Sequence, residues 1–172
     1  MEYLGEYPFG CSEQLTSKAL PYAVLSPDLL GKTKEDQNKY LEATNSLLLQ
    51  RQMSSGEIAL YEGDHYSFEY LNLYIAHFLT LSKEKGVFYN KVLFDRLFTY
   101  IKSLAKNGSL FARSYSMFLM AKNEMQVGAF AKLLQEEKKT DIYTQLYLAA
   151  TYKILKWDDK ANELIQKIEK NA

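Results

Sequence analysis

Apolar residues recur at spacings of three and four along nearly the whole chain. The breakers that would interrupt them are few, with three prolines and eight glycines in 172 residues. Side chains three and four apart share a helix face, whereas a half-buried strand alternates at two, so this pattern predicts an all-α fold. The longest apolar run, residues 71–81, is broken by Asn72, His77 and Thr80 and falls short of the roughly 20 residues a membrane span needs, so no direct membrane insertion by this segment is expected. Lys plus Arg and Asp plus Glu both number 21. A balanced charge leaves no basic excess to hold a polyanion, and nucleic acid is not an expected partner.

The spacing predicts a first helix from about Ser12 to Leu25, bent or interrupted at Pro21, with Leu15, Ala19, Tyr22 and Ala23 on one side. Ser26-Pro27-Asp28 breaks it. Thr33 followed by Asp36 has the form of a capping box, opening a helix to about Met53 with Tyr40, Leu41, Leu47 and Leu48 as its apolar stripe. A polar and aromatic loop, residues 54–66, leads to a helix from Ser67 to Lys85 that Gly86 terminates. Its stripe Tyr66, Tyr70, Tyr74 and Leu81 is expected in the core. Asn90 caps the next helix, which Gly108 ends; shorter helices are predicted over 112–122, 125–137, 141–155 and 158–170, with Glu136 to Lys139 as a solvated turn.

Helical hairpins of this kind carry more apolar surface than one pair can bury, and so must stack on neighbours. No strict period of 33 or 34 residues is visible, which fits tetratricopeptide and ankyrin arrays poorly. Periodicity alone leaves a closed toroid and an open solenoid both open. At this length one domain, residues 1–172, is expected.

The chain holds a single cysteine, in Gly10-Cys11-Ser12-Glu13-Gln14. Residues three apart meet within one helical turn, so the Cys11 sulfur can reach the Gln14 side-chain amide. Attack by the thiolate with loss of ammonia leaves an internal thioester, a stored and activated acyl group. Pro8 and Gly10 allow the turn before the helix, and Tyr7, Phe9 and Tyr22 are candidates to keep water from the bond.

This segment resembles the thioester motif of the alpha-2-macroglobulin and complement family, Gly-Cys-x-Glu-Gln. Tyr7-Pro8-Phe9 is similar to the lead-in of its bacterial branch, and Thr16 to Pro21 to the Thr-Thr-Ser-Arg-x-Leu-Pro that follows there. Ser55 to Asp64 looks like a worn form of the family's Asp-Gly-Gly-Phe-Gly-x-Trp-Pro-Gly-Gly loop. Tyr70-Leu71-Asn72-Leu73-Tyr74 stands where members read Trp-x-Thr-x-Tyr, and Arg113 to Leu119 matches a later helix only as a pattern.

The resemblance implies an alpha/alpha toroid of helical hairpins, here partial, because the family's thioester-containing domain is larger than this chain. It implies a protease inhibitor in which bait cleavage releases the thioester to acylate lysine amines of the trapped protease. The other partners would be macroglobulin-like beta domains of a parent chain in the periplasm or cell exterior, with a membrane anchor available to that parent. Such a trap acts once and is not an enzyme; it needs no cofactor and no metal, and has no catalytic residue in the turnover sense. Cys11 supplies the leaving sulfur and Gln14 the acyl carbon. Glu13 positions the turn or interacts with nearby backbone, with no chemical duty, and Ser12 occupies the family's variable position. Some relatives carry a histidine that takes the acyl group as an imidazole and passes it to hydroxyls; residues 107–116 hold none, so direct attack by amines is expected.

Two other readings use the same residues. A cysteine protease would pair Cys11 with His65 or His77, leaving Gln14 without a role. A helical-repeat interaction module would leave Cys11 inert.

Overall fold

The structure, a computed structural model, describes residues 10–136 and 140–171. Among them the regular elements are all helices, and the only β-type pairing is an isolated bridge between Gln52 and Ile58. The chain divides into two compact units between Tyr100 and Ile101. Tyr7, Phe9 and the charged turn residues 137–139 lie outside the described residues.

The first unit contains α1 (Ser12–Val24), α2 (Pro27–Leu30), α3 (Lys34–Gln50), α4 (Glu69–Glu84) and the start of α5 (Lys91–Asn107). The capping box that opens α3 is present. Asp36 N–H donates to Thr33 Oγ1 at 3.1 Å, and Thr33 N–H to Asp36 Oδ2 at 3.4 Å. α1 packs on α3 and α4. It runs through Pro21 without interruption, because the proline lies in the last turn, where only the carbonyl of exposed Ser17 loses its donor. The break expected at Ser26-Pro27-Asp28 is present, since α1 ends at Val24; Pro27 then opens the short α2, because a proline at the first helical position gives up an N–H that has no helical partner anyway.

Two apolar stripes differ from expectation. On α3 the buried face is Gln37, Leu41, Thr44, Asn45 and Leu48, while Tyr40 and Leu47 are exposed. Its polar members are used by other elements. Gln37 Nε2 donates to Tyr22 O and Leu25 O at the end of α1, and Asn45 Oδ1 accepts from Asn90 N–H. On α4 the tyrosine stripe is not core: Tyr66 is 59% and Tyr70 49% exposed. The helix is covered on two flanks, through Leu71, Ile75, Phe78 and Leu79 and through Asn72, Leu73, Ala76 and Thr80. Tyr70, Tyr74 and Leu81 form the strip left over, which amphipathic rings tolerate, and Tyr66 lies in the loop before the helix.

The second unit contains the end of α5 with α6 (Leu110–Lys122), α7 (Gly128–Gln135), α8 (Ile142–Ile154) and α9 (Asp158–Asn171). α8 packs on both α6 and α9. Tyr115 and Tyr147 stack with centroids 4.2 Å apart, and Phe111 and Phe118 surround the pair. Fully buried Tyr152 donates its hydroxyl proton to Gln135 Oε1 at 2.8 Å; burial raises its pKa to about 12.

Candidate functional site

The turn before α1 and the loop over residues 51–68 form one assembly. Ser12 is fully buried at the first helical position, and its backbone N–H donates to Leu60 O at 2.8 Å. Its hydroxyl donates to Ala59 O at 2.6 Å. The loop is held from the other side by Asn72, whose Oδ1 accepts from Ile58 N–H at 2.8 Å and whose Nδ2 donates to Ser67 Oγ at 2.7 Å. Gly56 makes the tightest approach. Its φ is +93°, and a Cβ there would stand 2.2 Å from Arg96 O, so only glycine fits.

On this base Cys11 is the N-cap of α1, in extended backbone at φ −64° and ψ 166°. Gln14 N–H points at Cys11 Sγ at 3.5 Å, while Cys11 N–H donates to Gln14 Oε1 at 3.0 Å. The two residues thus form a reciprocal capping box in which a thiol replaces the usual serine or threonine hydroxyl. This arrangement folds the Gln14 carboxamide back over the start of the helix, toward the residue that carries the sulfur. Gly10 makes room for it, since a Cβ at that position would lie 3.3 Å from Gln14 Oε1. Cys11 is half-buried and Gln14 exposed.

The remaining residues singled out in the sequence are distributed differently. Glu13 is exposed in the first turn of α1, where its charge suits the positive end of the helix dipole. Tyr22 lies ten residues beyond Ser12 on the same helix, about 15 Å along its axis, and stacks on Tyr40 with centroids 4.2 Å apart. That places it at the far end of α1, away from Cys11. His65 is in the exposed loop and His77 is half-buried on α4.

Sequence reasoning missed Arg51. Located at the C-cap of α3, it is half-buried, and its Nη1 donates to Gly10 O at 3.0 Å, Ser12 Oγ at 3.3 Å and Leu60 O at 3.4 Å. Burial lowers the pKa of this guanidinium, and attraction to Glu62, Cys11 and Tyr61 opposes that effect. The missed signal was its position at a helix end just before the loop that resembles the family's.

No family model matches the chain. It is 26% identical to an alpha-2-macroglobulin homolog of Yersinia pestis over 95% of its length, and 24% identical to an alpha-2-macroglobulin of Rickettsia conorii over 99%. The chain spans only 9% and 10% of those relatives. Its fold is similar to native Escherichia coli alpha-2-macroglobulin from domain MG7 to the C-terminus, with a TM-score of 0.81 and 20% identity, covering 98% of this chain and 30% of that one. It is also similar to Salmonella alpha-2-macroglobulin reacted with methylamine, with a TM-score of 0.79 and 18% identity, covering 97% of this chain and 12% of that one.

Proposed function

Because the chain belongs to the bacterial alpha-2-macroglobulin family, we propose that it is the partial thioester-containing domain of a protease-trapping inhibitor, part of an alpha/alpha toroid, with Cys11 and Gln14 as the bonded pair. The observation that carries this reading is the reciprocal cap, with 3.5 Å from Gln14 N to Cys11 Sγ and 3.0 Å from Cys11 N to Gln14 Oε1. Within that cap the sulfur attacks the Gln14 amide carbon, ammonia departs, and a thioester closes the turn with a covalent bond. After bait cleavage, a lysine amine of the protease adds to the same carbon and the sulfur leaves. The product is an amide, and the protein is spent. Relatives of known structure include E. coli alpha-2-macroglobulin activated by trypsin and by porcine elastase, which fits protease as the partner class. The remaining partners in this reading are macroglobulin-like beta domains of the parent chain, in the periplasm or cell exterior.

The test is the intact mass of the whole protein before and after methylamine. A thioester makes it about 17 Da light through lost ammonia, and the amine is then taken up with release of one thiol. Full mass and no uptake would leave Cys11 as an unusual N-cap.

A further inference from the structure

Arg51 is an expensive way to satisfy neutral oxygens. Its Nη1 serves two backbone carbonyls and one hydroxyl, Gly10 O, Leu60 O and Ser12 Oγ, none of which requires a full charge. Withdrawing a guanidinium partly from water for such partners costs free energy unless an anion lies near. The anionic or ionisable groups that attract it are Glu62, Cys11 and Tyr61. Glu62 and Tyr61 are exposed loop residues, whereas Cys11 is half-buried between the two residues that Arg51 grips.

The Arg51 backbone is also anchored at both its polar groups. Arg51 N–H donates to Leu48 O at 3.2 Å, closing α3, and its carbonyl accepts from Ala59 N–H at 2.9 Å. The guanidinium therefore comes from a fixed helix end and binds the residue before Cys11 and the residue after it.

We propose that Arg51 is a positioning residue for the thioester, holding the Cys11 peptide against the 59–60 loop while its charge stabilises the thiolate that forms when the acyl bond breaks. This rests on the Cys11–Gln14 reading above. In the step concerned, the amine nitrogen adds to the Gln14 acyl carbon, the carbon–sulfur bond breaks, and its electron pair stays on Cys11 Sγ. The proton shed by the amine passes to solvent. A cation held at the residues on either side of Cys11 favours the separated state, as arginine does for a neighbouring thiolate. The nearby Glu62 charge attracts the same guanidinium, so on this proposal it should act in the opposite sense.

Two measurements on the whole protein test this. The first is the rate of methylamine uptake. The second is the rate at which iodoacetamide alkylates Cys11 in a Gln14→Ala background, where no thioester can form. Arg51→Met should slow both roughly fivefold at neutral pH, Arg51→Lys should recover most of the loss, and Glu62→Gln should speed both. Far-UV circular dichroism identifies any variant that fails to fold, and Glu62→Gln, at an exposed position, still reports the sign of the charge effect in that case. Equal alkylation rates in the Arg51→Met and parent proteins, or no rate change in Glu62→Gln, would overturn the role of Arg51. Failure of the thioester reading appears separately, as absence of the ammonia-loss mass in the parent protein.

Discussion

Ser12 Oγ donates to Ala59 O at 2.6 Å across 47 residues of sequence, tying the first turn of α1 to the long loop. Ser12 is fully buried, and its N–H donates to Leu60 O as well. Ser12→Ala leaves a buried carbonyl short of a donor and should cost roughly 1–2 kcal/mol in urea unfolding. An unchanged midpoint would mean that water replaces the hydroxyl.

Cys11 offers a separation of chemistry from stability. Serine is a stronger N-cap than most residues and accepts the same Gln14 N–H, so Cys11→Ser should keep unfolding free energy within about 0.5 kcal/mol of the parent. It should abolish methylamine uptake completely. Gln14→Ala also removes uptake, but it loses the acceptor for Cys11 N–H as well and should be the less stable variant. Both measurements are needed, since a cap without chemistry would give the stability result alone.

Gly56 should tolerate no side chain. At φ +93°, with a Cβ placed 2.2 Å from Arg96 O, Gly56→Ala must displace backbone of α5 or leave its turn. A cost of roughly 3 kcal/mol or more is expected in urea unfolding, with Gly31→Ala, which has open space at its Cβ, costing less.

Local signals were legible in the sequence, and tertiary ones were not. Thr33 with Asp36 and Asn90 with Leu93 N–H could be read because each pair closes within one turn. Cys11 with Gln14 was legible for the same reason. Arg51 could not be read as part of the site, because 41 residues separate it from Gly10, and an arginine at a helix end ordinarily reads as solvated charge. Ser12 stands at the variable position of the resembled motif, and its burial was not legible because its partners, Ala59 and Leu60, contribute only backbone oxygens, which have no side-chain signature. The tyrosine strip of α4 was misread because a helix buried on two flanks has no single apolar face to follow. α7 starts at Gly128 rather than Met125 because Glu124, at φ 60°, and the Met125 N–H bond to Met120 O extend the close of α6.

In the second unit, Asp141 gives a pH-dependent test. Its carboxylate accepts from Thr144 N–H, Thr144 Oγ1 and Tyr143 N–H, and these bonds, the Thr144 backbone bond first, lower its pKa below 3.8. A carboxylate depressed in the folded state contributes stability that is present above its unfolded pKa and lost as pH falls through the folded value. Asp141→Ala should therefore cost about 1 kcal/mol at pH 7, as for an N-cap, and the difference should shrink as pH falls below 3.8. Hydrogen exchange of α8 amides at several pH values reads this for the unit itself; a gap independent of pH would leave the carboxylate charge without a part.

The nucleophile preference is the last point the site decides. On the resemblance, efficient transfer of the acyl group to a hydroxyl would use a histidine nucleophile that first takes it, in the region corresponding to residues 107–116, where the chain has none. Of its two histidines, His77 is half-buried on α4 and His65 is in the exposed loop, where Asp64 Oδ1 fixes the His65 and Tyr66 N–H groups. Neither falls in that stretch of sequence, so on the proposed thioester reading direct attack of an amine on the acyl carbon is the expected route. Methylamine should outcompete glycerol for the whole protein, and His65→Ala should leave the ratio of amide to ester product unchanged. Predominant ester in the mass spectrum, or ester lost on removing His65, would show an imidazole relay built from a different part of the chain.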